Sequence, residues 1–190
     1  MSPLEAIGQH CRLLRLPSLV ETVPEALHLA HQQDWSLESF LLYLLEQELL
    51  GRQQRRVERL LREAHLPPGK TFDRFEQDRL PLRLRRQLPE LVQGDFINQA
   101  GNILIFGQPG TGKTHLAAAL AYEWVHRNYS VWFSPTYKLV DGLLRAKRDY
   151  ELERELKRLD RFQVVVLDDI GYVQQSREEM EVLFTFLAER

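Results

Sequence analysis

One stretch decides the fold of this chain: Gly107-Gln108-Pro109-Gly110-Thr111-Gly112-Lys113-Thr114. It matches the phosphate-loop pattern G-x-x-x-x-G-K-[ST] at every fixed position. The glycines of such a loop let the backbone aim several N–H groups at one phosphate cluster, beside a helix N-terminus whose dipole favours anions. The lysine reaches the β- and γ-phosphates, and the threonine hydroxyl binds Mg²⁺. A chance glycine-rich turn is the alternative, and the flanking sequence argues against it.

The segments around this loop predict a parallel α/β sheet. Residues 103–106 form a short apolar run before it, and a helical pattern follows from Lys113 to about Arg127. Further apolar runs occupy residues 131–133 and 164–167, with a charged helical region over 137–159 between them. Short apolar runs that alternate with helices are typical of parallel strands covered by helices on both faces. We therefore expect three strands in this part of the chain.

The third apolar run ends in two carboxylates, Asp168 and Asp169. A buried strand that ends in a carboxylate can hold Mg²⁺ across from a phosphate loop, which is the Walker B role, and Asp168 is the residue on the metal side. Asp169 is placed to polarise the attacking water as a general base. The alternative is structural, with both aspartates capping a turn toward Gly171.

The first 66 residues predict an all-helical lobe. Apolar residues recur there at helical spacing, with Ser36 as a helix N-cap and Glu38 in the first turn after it. Pro17 and Pro24 are expected to start or break helices, and Gly51 is a possible interruption of the long apolar stripe after Ser36. These observations favour one continuous helical unit at the start of the chain.

The strongest boundary signal is Pro67-Pro68-Gly69, which ends this lobe. We predict three parts: a helical N-terminal lobe over residues 1–66, a linker and entry segment over 67–100, and a nucleotide-binding α/β domain over 101–190.

Composition and charge exclude several classes of protein. The chain has 190 residues and one Cys, which rules out a disulfide scaffold. Its longest uninterrupted apolar run is seven residues, 116–122, too short for a membrane span, and no secretory signal is visible, so a cytoplasmic protein is expected. Residues 51–90 carry eleven basic against six acidic residues, whereas residues 1–50 carry two against seven. A basic middle section is compatible with a local anionic partner.

The motifs together resemble a known family. The loop with His115-Leu116-Ala117 after it, and Leu167-Asp168-Asp169-Ile170-Gly171-Tyr172 downstream, look like the IstB family of AAA+ helper ATPases. These are encoded beside the transposase in one class of bacterial insertion sequences and are similar to DnaC-type helicase loaders. The resemblance extends upstream through Leu16-Pro17, Arg52-Gln53-Gln54-Arg55-Arg56 and Lys70-Thr71-Phe72-Asp73-Arg74-Phe75, so it covers nearly the whole chain.

The resemblance implies a fold, cofactors and partners. The fold is an AAA+ P-loop NTPase with a parallel sheet, preceded by the helical lobe. The cofactors are ATP and Mg²⁺. The partners are double-stranded DNA, a cognate transposase and further copies of the chain in an ATP-dependent homo-oligomer, with no membrane.

The resemblance also assigns roles to residues. Lys113 and Thr114 bind nucleotide and Mg²⁺, His115 follows them in the nucleotide-binding string, Asp168 holds the metal and Asp169 takes the catalytic acid position. Most AAA+ proteins place Glu at that last position. The shorter Asp leaves the water further away, which predicts slow hydrolysis.

Two groups of basic residues are candidates for DNA contact. Arg55, Arg59 and Arg62 share one helix face by spacing, and phosphate contact or a merely solvated face fits them equally well from charge alone. The second group lies where initiator-type AAA+ proteins carry an extra helical element that faces nucleic acid, which makes it the stronger candidate, with a solvated helix as the alternative: Lys138, Arg145, Lys147 and Arg148.

The end of the chain departs from the family pattern. AAA+ sheets place a further strand, with the sensor-1 residue, between the phosphate-loop strand and the Asp168 strand, and the arginine finger follows later. This chain stops at Arg190, inside a helix predicted from Ser176. We therefore expect a C-terminally incomplete sheet, poor folding and inefficient ATP hydrolysis. Two other functions remain open: a DnaC-like helicase loader, and a non-hydrolysing fragment that contacts DNA or transposase.

Overall fold

The computed structural model describes residues 2–172 and 176–189. The chain divides into two compact units, Met1–Glu58 and Arg59–Arg190, which are described separately here. Within the described residues, no helix is both long and apolar enough to cross a membrane.

The first unit is built from helices. These are α1 (Pro3–Leu13), α2 (Pro17–Gln32) and α3 (Leu37–Ala64), and α3 runs on past the end of the unit. Ser2 begins α1 with a capping box that it forms with Glu5. The predicted N-cap is confirmed, because the Ser36 hydroxyl accepts the Ser39 N–H at 3.2 Å. A small core closes the bundle, formed by Cys11, Leu19, Val23, Ala26 and Leu44.

Two of the expectations for this unit were wrong. Pro24 lies inside α2 instead of breaking it. Its neighbours Val23 and Ala26 are buried, and their packing offsets the roughly 3 kcal/mol that an interior proline costs a helix. Gly51 does not interrupt α3 either. A Cβ at Gly51 would lie 2.1 Å from the Ser18 hydroxyl oxygen, so glycine is needed there because α2 approaches closely.

The second unit contains the sheet and its covering helices. In order these are α4 (Leu82–Gln93), α5 (Lys113–His126), β1 (Val131–Pro135), α6 (Thr136–Arg148), α7 (Leu152–Leu159), β2 (Val164–Asp168) and α8 (Arg177–Ala188). Short 3₁₀ helices occupy Phe72–Arg74, Gln77–Arg79, Asp95–Gln99 and Ile170–Tyr172. The charged region predicted as one helix is two, α6 and α7, and Tyr150 between them has a positive φ of 59°.

Strands β1 and β2 pair in parallel, with Val131 beside Val164 and Pro135 beside Asp168. This confirms two of the predicted strands. The third was wrong, because residues 103–106 form no strand and Leu104 and Phe106 are 75% and 86% exposed. An apolar run forms a strand only where a neighbour pairs with its backbone, and no strand in the described residues pairs with this one.

Helices cover both faces of this small sheet, as predicted. On one face Trp132 packs with Val165 and Leu167 against α6, α7 and α8. Successive side chains of a strand point to opposite faces, so Val131 and Phe133 lie on the other face, where α5 contacts both strands. The fold is therefore a partial P-loop-type α/β unit whose sheet lies between α5 and the later helices.

Residues 67–100, predicted as a linker and entry segment, pack against α5. The Trp124 indole N–H donates to the Leu91 carbonyl at 2.8 Å, and its ring contacts Phe96 edge to face. The Tyr122 hydroxyl donates to the Pro67 carbonyl at 3.4 Å. These contacts tie the segment before the loop to the helix that the loop opens.

Candidate functional site

The glycine-rich loop leads directly into the N-terminus of α5. Gly110 and Gly112 have φ angles of 77° and 86°, in the left-handed region that only glycine adopts without strain. Gly112 is the N-cap of the helix, and its carbonyl accepts the Leu116 N–H at 2.8 Å. The N–H groups of residues 113–115 therefore have no acceptor within the helix, which makes this end a place for an anion.

The side chains of the loop are folded inward onto one carbonyl. The Lys113 ammonium donates to the Gln108 carbonyl at 2.9 Å, and the Thr111 hydroxyl donates to the same oxygen at 2.8 Å. A Cβ at Gly107 would lie 3.0 Å from the Thr111 hydroxyl, so this turn is tight. The Gln108 carbonyl thus holds the lysine beside the loop, at the place where an incoming phosphate would offer stronger acceptors.

The metal-binding candidates meet in space although 54 residues separate them. The Thr114 hydroxyl donates to Oδ1 of Asp168 at 2.9 Å, which joins the first turn of α5 to the end of β2. Asp168 is half-buried. A hydroxyl and a carboxylate are hard oxygen donors of the kind that Mg²⁺ uses beside substrate phosphates.

Sequence reasoning missed the residue that anchors this strand end. Thr136, fully buried at the start of α6, donates its hydroxyl to the backbone carbonyl of Asp168 at 2.8 Å. The bond fixes the end of β2 beside the end of β1 and so positions the Asp168 carboxylate. A hydroxyl residue directly after the first strand was the available signal.

Asp169 lies beyond the strand and is exposed. Its φ of 56° is in the left-handed region, which aspartate tolerates better than most residues. The chain then turns through the 3₁₀ helix Ile170–Tyr172. The carboxylate adjoins the Asp168 site in sequence and is open to solvent, so a water molecule can reach it.

His115 lies on the side of α5 that faces the preceding segment. Its Nε2 lies 3.0 Å from the Thr71 carbonyl, and its ring contacts Phe75 edge to face with centroids 5.1 Å apart. Phe75 also lies 3.5 Å from where a Cβ of Gly112 would be. The side chain of His115 is thus a support for the loop, and Thr71 and Phe75 are part of that support.

The basic residues of α6 are exposed, and two of them are held in ion pairs. Arg145 contacts Asp141 at 2.6 Å, and Lys147 contacts Glu181 of α8 at 2.9 Å. Lys138 and Arg148 are exposed near the two ends of the helix. By helical spacing Lys138, Arg145 and Arg148 share one side, and Lys147 is turned away from it toward α8.

The candidates on α3 differ from one another in their contacts. Arg55 is held within the first unit, where it donates to the Ser18 hydroxyl at 2.9 Å and to Glu48 at 3.3 Å. Arg59 lies 4.0 Å from Glu63, and Arg62 is exposed.

Glu48 forms the centre of a charged cluster that sequence reasoning missed. It is 4% exposed, and its Oε2 accepts the Ser18 N–H at 2.9 Å at the start of α2. Burial by itself raises the pKa of Glu48, but hydrogen bonds from Arg52 and from the Leu19 and Ser18 N–H groups outweigh it and leave the pKa below its ordinary value. A glutamate inside a leucine-rich stripe was the only signal in the sequence.

A glycine loop that opens a helix beside a strand ending in a metal-type carboxylate defines the class of P-loop nucleotide-binding folds. The comparison with known families makes the assignment specific. The chain belongs to the family of IstB-like ATP-binding proteins, whose model matches residues 9–190.

Curated relatives agree with this family. A Sinorhizobium fredii protein whose name describes an insertion-sequence ATP-binding protein is 39% identical over 93% of this chain and 60% of its own length. Proteins with similar names from Pseudomonas aeruginosa and Geobacillus stearothermophilus are 36% and 33% identical, over 100% and 98% of this chain and 71% and 74% of their own lengths. The chain therefore spans about 60% to 74% of the length of these relatives.

Proposed function

We propose that this chain binds ATP with Mg²⁺ as part of a helper ATPase for insertion-sequence transposition. The observation that carries the proposal is the 2.9 Å bond between the Thr114 hydroxyl and the Asp168 carboxylate at the N-terminus of α5. It brings two hard oxygen donors together beside a loop that matches the phosphate-binding pattern. The proposed site consists of Gly107, Gln108, Pro109, Gly110, Thr111, Gly112, Lys113, Thr114 and His115 with Asp168.

Each residue contributes through its own chemistry. The loop N–H groups and the start of α5 bind the phosphates, and Lys113 leaves the Gln108 carbonyl to contact the β- and γ-phosphates. Thr114 and Asp168 would hold Mg²⁺, and the bound metal ion would supply positive charge against the charge that develops on the phosphates. His115 supports the loop through its contact with the Thr71 carbonyl.

Nucleotide binding is tested by titrating the full chain with ATP, with and without Mg²⁺, by calorimetry. Lys113→Ala is expected to weaken binding at least about tenfold, since it removes a charge-assisted contact. Lys157→Ala is the matched control, because Lys157 is exposed on α7 and pairs with Glu153 of the same helix. Equal affinities for the wild type and Lys113→Ala would contradict the proposal.

We propose that Asp169 polarises the attacking water during slow hydrolysis. Asp169→Asn is expected to lower turnover while ATP affinity stays unchanged, because the amide cannot accept a proton. Asp169→Glu is expected to raise turnover, because the longer side chain brings the carboxylate nearer to the water. A wild type faster than Asp169→Glu would count against this role, provided that thermal unfolding shows both proteins equally stable.

Duplex DNA and a transposase are the proposed partners, and the names of the relatives, which refer to insertion sequences, support this. Lys138, Arg145 and Arg148 on the exposed side of α6 are the proposed phosphate contacts. Removing them together is expected to weaken binding to duplex DNA and to lower its salt dependence, since each lost phosphate contact reduces the salt slope by about one. Arg154→Ala on α7 is a control of like charge. A preference for single-stranded DNA over duplex would favour a helicase loader instead.

A further inference from the structure

The first unit contains an open cavity of about 540 Å³ with basic walls. Its size is within the range of small-molecule sites. The cavity lies around the end of α1, the first turns of α2 and the second half of α3, all inside Met1–Glu58. Four of the seven lining residues are arginines: Arg12, Arg15, Pro17, Val20, Glu21, Arg52 and Arg55.

Two of these arginines are held in place by the fold. Arg52 donates from Nε to the buried Glu48 at 2.9 Å and from Nη2 to the Arg15 carbonyl at 3.1 Å. Arg55 donates to the Ser18 hydroxyl at 2.9 Å and to Glu48 at 3.3 Å. A guanidinium has five N–H donors, so both side chains keep donors for a further acceptor. Their positions are thus fixed before any ligand binds, which lowers the entropy cost of binding.

The other two arginines, Arg12 and Arg15, have no such acid partner. Both are exposed, and neither forms an ion pair with a carboxylate of the described residues. The acids near the cavity are Glu21 in its wall and Glu48 behind it. Four arginines against these two carboxylates leave an excess of two positive charges, so the cavity favours an anion.

The backbone at Arg15 is in a conformation that favours glycine. Its φ is 56°, and it follows α1 in a Schellman turn, in which the Leu16 N–H donates to the Cys11 carbonyl at 2.8 Å and the Arg15 N–H to the Arg12 carbonyl at 3.1 Å. A side chain at such a position costs free energy that glycine avoids. The Arg15 side chain lines the cavity and is exposed, so core packing does not offset this cost. A ligand that Arg15 contacts would account for an arginine here.

We propose that this cavity binds a small phosphate-bearing anion, at a site separate from the glycine-rich loop. A terminal phosphate carries about −1.5 to −2 charge near neutral pH and three acceptor oxygens, which matches the excess of positive charge, whereas a carboxylate carries one charge and two oxygens. Guanidinium groups bind phosphate through two parallel N–H bonds. Pro17 and Val20 offer apolar surface to an organic group attached to the phosphate.

The bound anion would join two helices of the first unit. Arg12 and Arg15 come from the end of α1, and Arg52 and Arg55 come from α3. A ligand that contacts both pairs binds the folded unit and not the unfolded chain, so it stabilises the fold by mass action.

Binding is tested by calorimetry with inorganic tripolyphosphate, in the full chain that carries Lys113→Ala and without Mg²⁺. This background weakens binding at the loop. We expect saturable one-to-one binding that weakens as salt is added, because the contacts are ionic. The absence of saturable binding up to about 1 mM would overturn the proposal. So would binding that occurs in the original chain and disappears with Lys113→Ala, since it would belong to the loop.

Arg15→Gly separates the side chain from the backbone in the same background. We expect binding to weaken at least about tenfold, while the midpoint of urea unfolding stays unchanged or rises because glycine adopts this φ without strain. His65→Gly is the matched control: its φ is 54° at the end of α3, and it does not line the cavity, so its affinity should stay within about twofold. Arg154→Ala on α7 controls for lost charge. Equal affinities of Arg15→Gly and these controls would overturn the proposal.

Competition identifies the kind of phosphate. Displacement of tripolyphosphate by a nucleoside triphosphate at a lower concentration would support the proposal with a nucleotide as ligand, because the organic group then adds contacts at Pro17 and Val20. A weaker competitor would support it with a free phosphate anion. A short DNA duplex that displaces the probe at a lower concentration than either, and loses this ability with Arg15→Gly, would overturn a small-anion site in favour of nucleic acid.

Discussion

Two of the carboxylates in this molecule, one in each unit, lie beside a helix N-terminus and differ in how many hydrogen bonds they accept. Glu48 in the first unit accepts two backbone N–H groups at the start of α2 and contacts two arginines. Asp168 in the second unit accepts one described side-chain bond, from Thr114 at the start of α5. The hydrogen bonds of the first carboxylate are made within the fold and contribute to stability, whereas the second keeps lone pairs that the proposed Mg²⁺ site would use. What a buried carboxylate does depends on how much of its hydrogen-bonding capacity the fold has already used.

The largest effect on stability is expected from removing Glu48, the carboxylate that accepts the larger number of hydrogen bonds. Glu48→Ala takes one acceptor from each of two backbone N–H groups and two guanidinium groups, and we expect it to lower the free energy of unfolding by about 3 kcal/mol. Urea denaturation measures this. Glu46→Ala, an exposed glutamate two residues earlier, is the control and should change stability by less than about 0.5 kcal/mol. Equal losses of unfolding free energy in the two variants would contradict a stabilising role for Glu48.

The second carboxylate, Asp168, is expected to respond in binding rather than in stability. Asp168→Asn keeps the shape but removes the charge, so Mg²⁺-dependent ATP affinity should fall at least about tenfold, or about 1.4 kcal/mol. The free energy of unfolding should change little. Calorimetry with and without Mg²⁺ measures the first quantity and urea denaturation the second. Asp149→Asn, exposed after α6, is the control. If Asp168→Asn strongly destabilised the protein but left binding of Mg²⁺ and ATP unchanged, the proposed binding role of Asp168 would be contradicted.

A third variant concerns Thr136, whose hydroxyl bonds to the backbone of Asp168 and not to its carboxylate. Thr136→Val removes a hydroxyl that donates to the Asp168 carbonyl, and it should cost about 1 kcal/mol of stability, since it leaves that carbonyl short of a donor. ATP affinity should fall slightly as the strand end loosens. Thr185→Val is a control for the loss of an exposed helical hydroxyl. An unchanged stability would mean that the strand end is held by other contacts.

The smallest effect is expected from acid pH. Because the pKa of Glu48 is below its ordinary value of 4.5, its contribution to stability is complete above that value and is lost as the pH falls through the lower folded pKa. The stability of the wild type should therefore fall in acid more steeply than that of Glu48→Gln, which has no such group to titrate. Parallel pH curves of the two proteins below pH 4.5 would contradict this assignment.

Much of the local structure could be predicted because short-range patterns encode it. The loop pattern with its glycines, the helix that starts at Lys113 and the cap at Ser36 were all predicted and confirmed. The strand over residues 103–106 was predicted wrongly, because apolar composition does not say whether a neighbour will pair with the backbone. Pro24 inside α2 was also missed, because packing of its neighbours outweighs a local penalty.

The sequence by itself determined the kind of site, since a loop of glycines with one lysine and one threonine has a chemistry that follows from its residues. Which distant polar groups bond to one another, at that site and in the first unit, depended on the tertiary structure. The bond from Thr114 to Asp168, the anchor from Thr136 and the burial of Glu48 join residues 54, 32 and 30 positions apart. The reason is physical: helix caps and tight turns depend on a few neighbouring residues, whereas the pairing of distant polar groups depends on how the helices and strands pack, which no local pattern records.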